Sequence, residues 1–158
     1  MPEATKIAFR HRQVRGVDDV TDLVAMLFPG NRNQQHAAAR ILLELKAADD
    51  LVPTMAHLER RHGISRRTLQ RARAKLAKLG LIERISWMNA RHHGREGWKL
   101  STRFSASLRA LADFHDRWQR DREPVRHMKD EQLARLLKAG HLGPVNRLAG
   151  SWPVTRSP

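Results

Sequence analysis

At 158 residues and 41% apolar composition the chain is long enough for one domain with a real core, or a small domain with helical extensions, and it is not a disordered polymer. Its formal charge of +14 and pI near 11.6 are far from ordinary, so where the charge lies becomes the informative question. The absence of cysteine excludes a disulfide framework and a cysteine zinc site, and no apolar run approaches the roughly 20 residues of a membrane span.

The start, MPEATKIAFRHRQ, has no continuous apolar stretch of the kind a secretory signal needs, which predicts a cytoplasmic protein, nucleoid-associated if bacterial. Residues 6–15, KIAFRHRQVR, mix apolar and basic positions and fit an extended arm or a strand. Val17, Val20, Leu23, Val24, Leu27 and Phe28 then recur at helical spacing, with Asp18, Asp19 and Asp22 early, where negative charge suits the helix dipole. Pro29-Gly30 ends that helix, so residues 1–30 read as an arm and a short helix. Asn31 or Asn33 caps the next helix, which runs to about Ala48 with Ala38, Ile41, Leu42 and Leu45 inward. Asp49-Asp50 and Pro53 make the connection onward.

From Pro53 to Ile82 the chain reads as two helices separated by a short corner. Thr54 and Ser65 carry side-chain oxygens able to cap a helix N-terminus, and each precedes a segment of helical apolar spacing. The first helix spans about Met55 to Arg61 with Leu58 as its inward anchor; His62-Gly63 breaks it and Ile64 plugs the corner. The second, Arg66 to Leu79, places Leu69, Ala72, Leu76 and Leu79 on one stripe of a 3.6-residue period. Its opposite face carries Arg67, Gln70, Arg71, Ala74 and Lys78, flanked by Arg66 and Lys75.

The charge concentrates on this unit. Residues 1–53 hold seven basic and seven acidic side chains, 54–80 eight and one, 81–103 five and two, and 104–158 ten and six. A major groove admits one helix, and Arg and Gln make paired hydrogen bonds to guanine and adenine edges. Arg67, Gln70 and Arg71 are therefore candidate base readers, against the plainer reading of a solvated basic face.

The spacing of Pro53-Thr54, Leu58, Gly63-Ile64-Ser65, Thr68-Leu69, Ala72, Leu76 and Gly80-Leu81-Ile82 resembles the winged helix-turn-helix core of the GntR and MarR groups of bacterial transcription regulators, over roughly 30 of the 158 residues. The resemblance implies that Ser65 opens a recognition helix, that Arg66 and Thr68 help contact DNA, and that Gly80-Leu81-Ile82 leads into the wing. The chain departs from the GntR pattern at Ala56, where those proteins tend to carry arginine.

After Gly80, LIERISWM and GWKLST are rich in apolar and β-branched residues and predict an antiparallel hairpin. The intervening NARHHGREG is polar and glycine-containing, and reads as an exposed wing tip whose Arg91 and Arg95, beside His92 and His93, meet the minor groove or the backbone. An ordinary solvated hairpin turn is the alternative. Adjacent histidines project differently and no acid or cysteine stands at a convincing spacing, so no metal and no cofactor are expected.

From Phe104 the positions Leu108, Leu111, Ala112, His115 and Trp118 describe an amphipathic helix over 104–120 that closes the core or pairs with a second subunit. DREPVRH (121–127) reads as a linker, Lys129 to Lys138 as a short helix, and the stretch after Gly140 as an extended tail.

The expected fold is mainly α with a small β-hairpin, a winged helix-turn-helix over 31–103 with extra N- and C-terminal helices. The expected function is sequence-specific double-stranded DNA binding, as in a transcription regulator. The candidate contacts are Thr54, Ser65, Arg66, Arg67, Thr68, Gln70, Arg71, Lys75, Lys78, Arg91, His92, His93 and Arg95. A plasmid or phage replication initiator and a winged-helix docking module within a nucleoprotein assembly remain open. No Walker-type loop, nucleophile elbow or cluster of converging acids is present, which predicts no enzymatic activity. Apolar material at Val20–Phe28 and Leu108–Trp118 exceeds the needs of a small winged helix and predicts a homodimer built from those helices.

Overall fold

The computed structural model describes residues 6–88 and 90–139 and is mainly helical, with one two-stranded antiparallel sheet. Seven helices are formed among the described residues: α1 His11–Arg15, α2 Val20–Leu27, α3 Arg32–Ala47, α4 His57–His62, α5 Arg66–Leu79, α6 Arg103–Arg120 and α7 Pro124–Lys138. Strands β1 Ile82–Ile85 and β2 Gly97–Leu100 lie between α5 and α6. The chain divides into two compact units between Leu111 and Ala112.

The first unit is built around α3. Asn31 caps it by accepting the Gln34 N–H at 3.0 Å, and its apolar stripe Ala37, Ala38, Ile41, Leu42 and Leu45 is buried. Packing against α2 and α5 completes a core whose largest fully buried side chains include Phe28, Leu27, Met55, Leu58, Leu76 and Ile82. At about 1.5–3 kcal/mol per fully buried large aliphatic side chain, this cluster is the main driving force of the fold.

α2 starts where a carboxylate can take the free amides of its first turn: Asp19 accepts the Thr21 and Asp22 N–H groups and the Thr21 hydroxyl. The Thr21 hydroxyl first, then the Asp22 amide, holds the Asp19 carboxyl below its usual range. The α2 stripe, expected at a dimer interface, instead closes its own domain, since Val24, Met26, Leu27 and Phe28 are all buried. Residues 6–15 are neither wholly extended nor a strand. Positions 6–10 form no regular element, and 11–15 coil into the single turn of α1, with Val14 half-buried on the core.

α4 begins two residues later than its apolar spacing suggests. Thr54 Oγ1 accepts the Ala56 N–H at 3.2 Å, a turn closed within the loop, so Thr54 does not cap the helix. Met55, expected inside α4, is buried ahead of it. Gly63 ends α4 in the left-handed region at φ 63°, and Ile64 fills the corner as anticipated.

Gly80 terminates α5 at φ 81°, and a side chain there would meet Arg103 Cβ at 2.9 Å. That closeness matters because Phe104 N–H bonds to Gly80 O and Ser101 N–H to Leu81 O, pinning the start of α6 to the end of α5. The strands pair with Ile82 opposite Leu100 and Ile85 opposite Gly97. Val52 adds a bridge on the free side of β2, exchanging N–H···O bonds of 3.0 and 2.8 Å with Trp98. Gly97 permits this approach: a Cβ there would stand 2.9 Å from the Val52 carbonyl oxygen.

The second unit contains the C-terminal part of α6 and all of α7. The expected linker 121–127 shortens to 121–123, because Pro124 occupies the first turn of a helix, where its missing N–H costs nothing. Asp121 accepts the Glu123 N–H at 3.0 Å and pairs with Arg126, while Trp118 Nε1–H donates to Asp130 at 3.2 Å. Neither α6 nor α7 buries a residue fully. The tail predicted after Gly140 lies outside the described residues. Among those described, no helix is long and apolar enough to cross a membrane.

Candidate nucleic-acid interface

α5 is the best-defined element of the candidate site. Ser65 Oγ accepts the Thr68 N–H at 3.2 Å and lies 2.8 Å from Thr68 Oγ1. The two hydroxyls are thus engaged with the helix start and each other, and Thr68 is half-buried. The stripe Leu69, Ala72 and Leu76 is buried and Leu79 half-buried, which turns the opposite face outward.

On that outward face Arg66, Arg67, Gln70, Arg71 and Lys78 are exposed, and the whole helix carries no acidic side chain. Among the described residues no carboxylate forms a salt bridge with Arg66, Arg67 or Arg71. Several cations on and around the hairpin are instead paired with acids. Arg84 meets Glu96 at 3.5 Å, Lys99 and Arg103 meet Glu83 at 3.4 and 3.3 Å, and Arg95 pairs with Asp50. Arg66, Arg67 and Arg71 thus form a basic cluster on α5 without carboxylate partners.

Lys75 belongs to the same helix but has another employment. Its Nζ donates to the Lys6 carbonyl at 2.7 Å and stands 4.6 Å from the centre of the Phe28 ring. Burial pushes its pKa down, since partial desolvation disfavours the ammonium. Sequence periodicity had placed Lys75 beside the readers; the structure turns it against the N-terminal arm.

The loop between the strands contains a short 3-10 turn, Ala90–His92, and reverses direction through His93 at φ 52° and Gly94 at φ 72°. Arg91 and His93 are exposed and His92 is half-buried. Arg95, from the same loop, reaches Asp50 on the segment after α3. The Asp50 carboxyl is held low chiefly by the Leu51 N–H and then by Arg95. Thr54 is exposed, at the start of the loop into α4. The structure thus brings Arg66, Arg67, Gln70 and Arg71 together, and sets the hairpin-loop residues and Thr54 on separate segments.

Arg73 escaped the sequence reading. Its guanidinium lies 4.9 Å from the centre of the Trp98 ring, a cation–π contact that holds one flank of α5 to β2. The available signal was a cation on the helix flank and a tryptophan on the strand, but only the fold supplies their proximity. Among the described residues no group of three histidines or acids could hold a metal ion. No protein-family model, no curated protein and no solved structure matches the chain.

Proposed function

We propose that this chain is a sequence-specific double-stranded DNA-binding protein of winged helix-turn-helix type, acting as a transcription regulator rather than an enzyme. In this reading α5 enters the major groove, Arg67, Gln70 and Arg71 read base edges, and Arg66 and Lys78 meet phosphates. The hairpin loop, with Arg91, His92, His93 and Arg95, lies on the backbone or minor groove. The observation that carries the reading is the outward face of α5, where three arginines without carboxylate partners surround a glutamine on a helix ordered by its own core. Cytoplasmic, nucleoid-associated action follows from the partner.

The reading includes a second copy of the chain, held through the second unit. Phe114, Trp118, Val125, Met128, Leu136 and Leu137 are 42–69% exposed there. An exposed apolar set of this kind on paired helices marks an interface with a partner. Two recognition helices would then reach half-sites about one turn apart.

Affinity for a random-sequence duplex, measured from low to moderate salt, tests the proposal. Neutralised phosphates release counterions, so the logarithm of affinity should fall steeply with the logarithm of salt. A protein with no detectable binding at low salt is a docking module instead.

A further inference from the structure

The arm formed by residues 6–15 has no role in the reading so far, yet its path is fixed. Lys6 is clipped to α5 through the 2.7 Å bond from Lys75 Nζ, and Ala8 N–H bonds to Met26 O at 2.9 Å. Val14 packs on the core, and Val17 shares an apolar groove with Leu81 and Leu100. The arm therefore starts at Lys75 on α5, passes the C-terminal end of α2 at Met26, and leads to Val17 beside Leu81, just past the end of α5. Its Lys6 end lies on the flank away from β2, because Arg73 and Lys75 project about 160° apart on a helix and face Trp98 and Lys6 respectively. Lys75, Arg71 and Lys78 share one ridge, so the start of the arm at Lys6 borders the exposed basic face.

Within residues 6–15 stand Lys6, Arg10, Arg12 and Arg15, and no acid. All four are exposed, and no carboxylate among the described residues forms a salt bridge with them. Of the acids that follow in the chain, Asp19 caps α2 and Asp22 accepts the Asp18 N–H.

We infer that Arg10, Arg12 and Arg15 form a second contact with duplex DNA, gripping phosphates beside the groove that α5 occupies; this rests on the DNA-binding reading above. The hairpin and the arm bracket α5 from opposite flanks. Arginines on a short turn at the edge of the face meet backbone rather than base edges, so the arm adds affinity without sequence preference.

The test uses the full chain carrying Arg10→Gln, Arg12→Gln and Arg15→Gln together, with folding checked by circular dichroism and thermal midpoint. All three sites are exposed, so the fold should persist. Wild type and variant are titrated with a selected site and a random duplex over a salt series. The expected result is weakening on the order of tenfold on both duplexes, with the log–log salt slope shallower by about two to three. A wild type that binds beside a variant of unchanged slope overturns the arm alone and leaves α5 as the interface. Loss on the selected site only would make the arm a base reader and overturn its phosphate role. A wild type that binds neither duplex overturns the parent reading and this inference with it.

Discussion

At the level of single residues, the α5 face divides into side chains that can choose between bases and side chains that only neutralise. Arg67 and Gln70 can form paired hydrogen bonds to base edges, whereas the Lys78 ammonium is a point charge that suits phosphate. Arg67→Ala or Gln70→Ala should relax preference at particular base positions by about 1–3 kcal/mol, and Lys78→Ala should weaken all sequences alike. Equal losses on selected and random sites for Arg67→Ala and Lys78→Ala would remove Arg67 from the readers. His62 supports a prediction of a different kind. Burial first, then Arg40, Arg61 and His36, pushes its imidazole below the usual range, against a weaker opposite pull from Glu44. The folded chain therefore binds this proton less tightly than the unfolded one. The associated stability is complete above about pH 6.5 and is lost as pH falls through that value toward the depressed folded pKa. Thermal midpoints at pH 7.5 and 5.5 should drop further for wild type than for His62→Gln, and equal drops would show that His62 is not the sensor.

For individual elements the two candidate caps make a controlled comparison. Ser65 takes an amide of α5 directly, so Ser65→Ala should cost about 1 kcal/mol, while Thr54→Ala, which opens only a loop turn ahead of α4, should cost less. Chemical denaturation of both variants decides; a larger loss at Thr54 would contradict the assigned start of α4. The same pair shows how far local sequence carries. Ser65 through Leu79 is legible because capping residue, apolar period and terminating glycine agree, Asn31 through Ala47 because cap and period agree, and the two strands because of their apolar and β-branched content. Thr54 misled because a hydroxyl can close a loop turn as readily as a helix. Residues 121–127 read as a linker, although the first turn of a helix tolerates Pro124. On the candidate site, the exposed Arg67, Gln70 and Arg71 follow from period alone, but the fates of Lys75 and Arg95 depended on partners 69 and 45 residues away in the chain. No window of local sequence contains that information.

Across the whole molecule, the two apolar stretches expected at an interface, Val20–Phe28 and Leu108–Trp118, have different fates. The Val20–Phe28 stripe vanishes into the first unit, because α3 offers it a face that periodicity cannot assign to one partner or another. The surplus of the second unit stays outside. If a second copy covers it, light scattering at micromolar concentration should give twice the mass of an 18.2 kDa chain. Phe114→Asp combined with Leu136→Asp should return the mass to one chain without unfolding the first unit. A monomeric wild type would end the dimer proposal.

The opposed clasps on α5 reach beyond placement. Arg73 against Trp98 and Lys75 against Lys6 seize the helix within a single turn from opposite sides, above a stripe already locked in the core. A helix so held has already lost its rolling and fraying freedom before any duplex arrives, so the entropic cost of ordering was met during folding. Association should then be close to a rigid-body event. Isothermal calorimetry over a range of temperatures should return a heat-capacity change proportional to the surface two preformed bodies bury, without the larger negative value of a segment that folds as it binds. A heat-capacity change of that larger size would mean that α5, or something joined to it, is still assembling itself on the DNA.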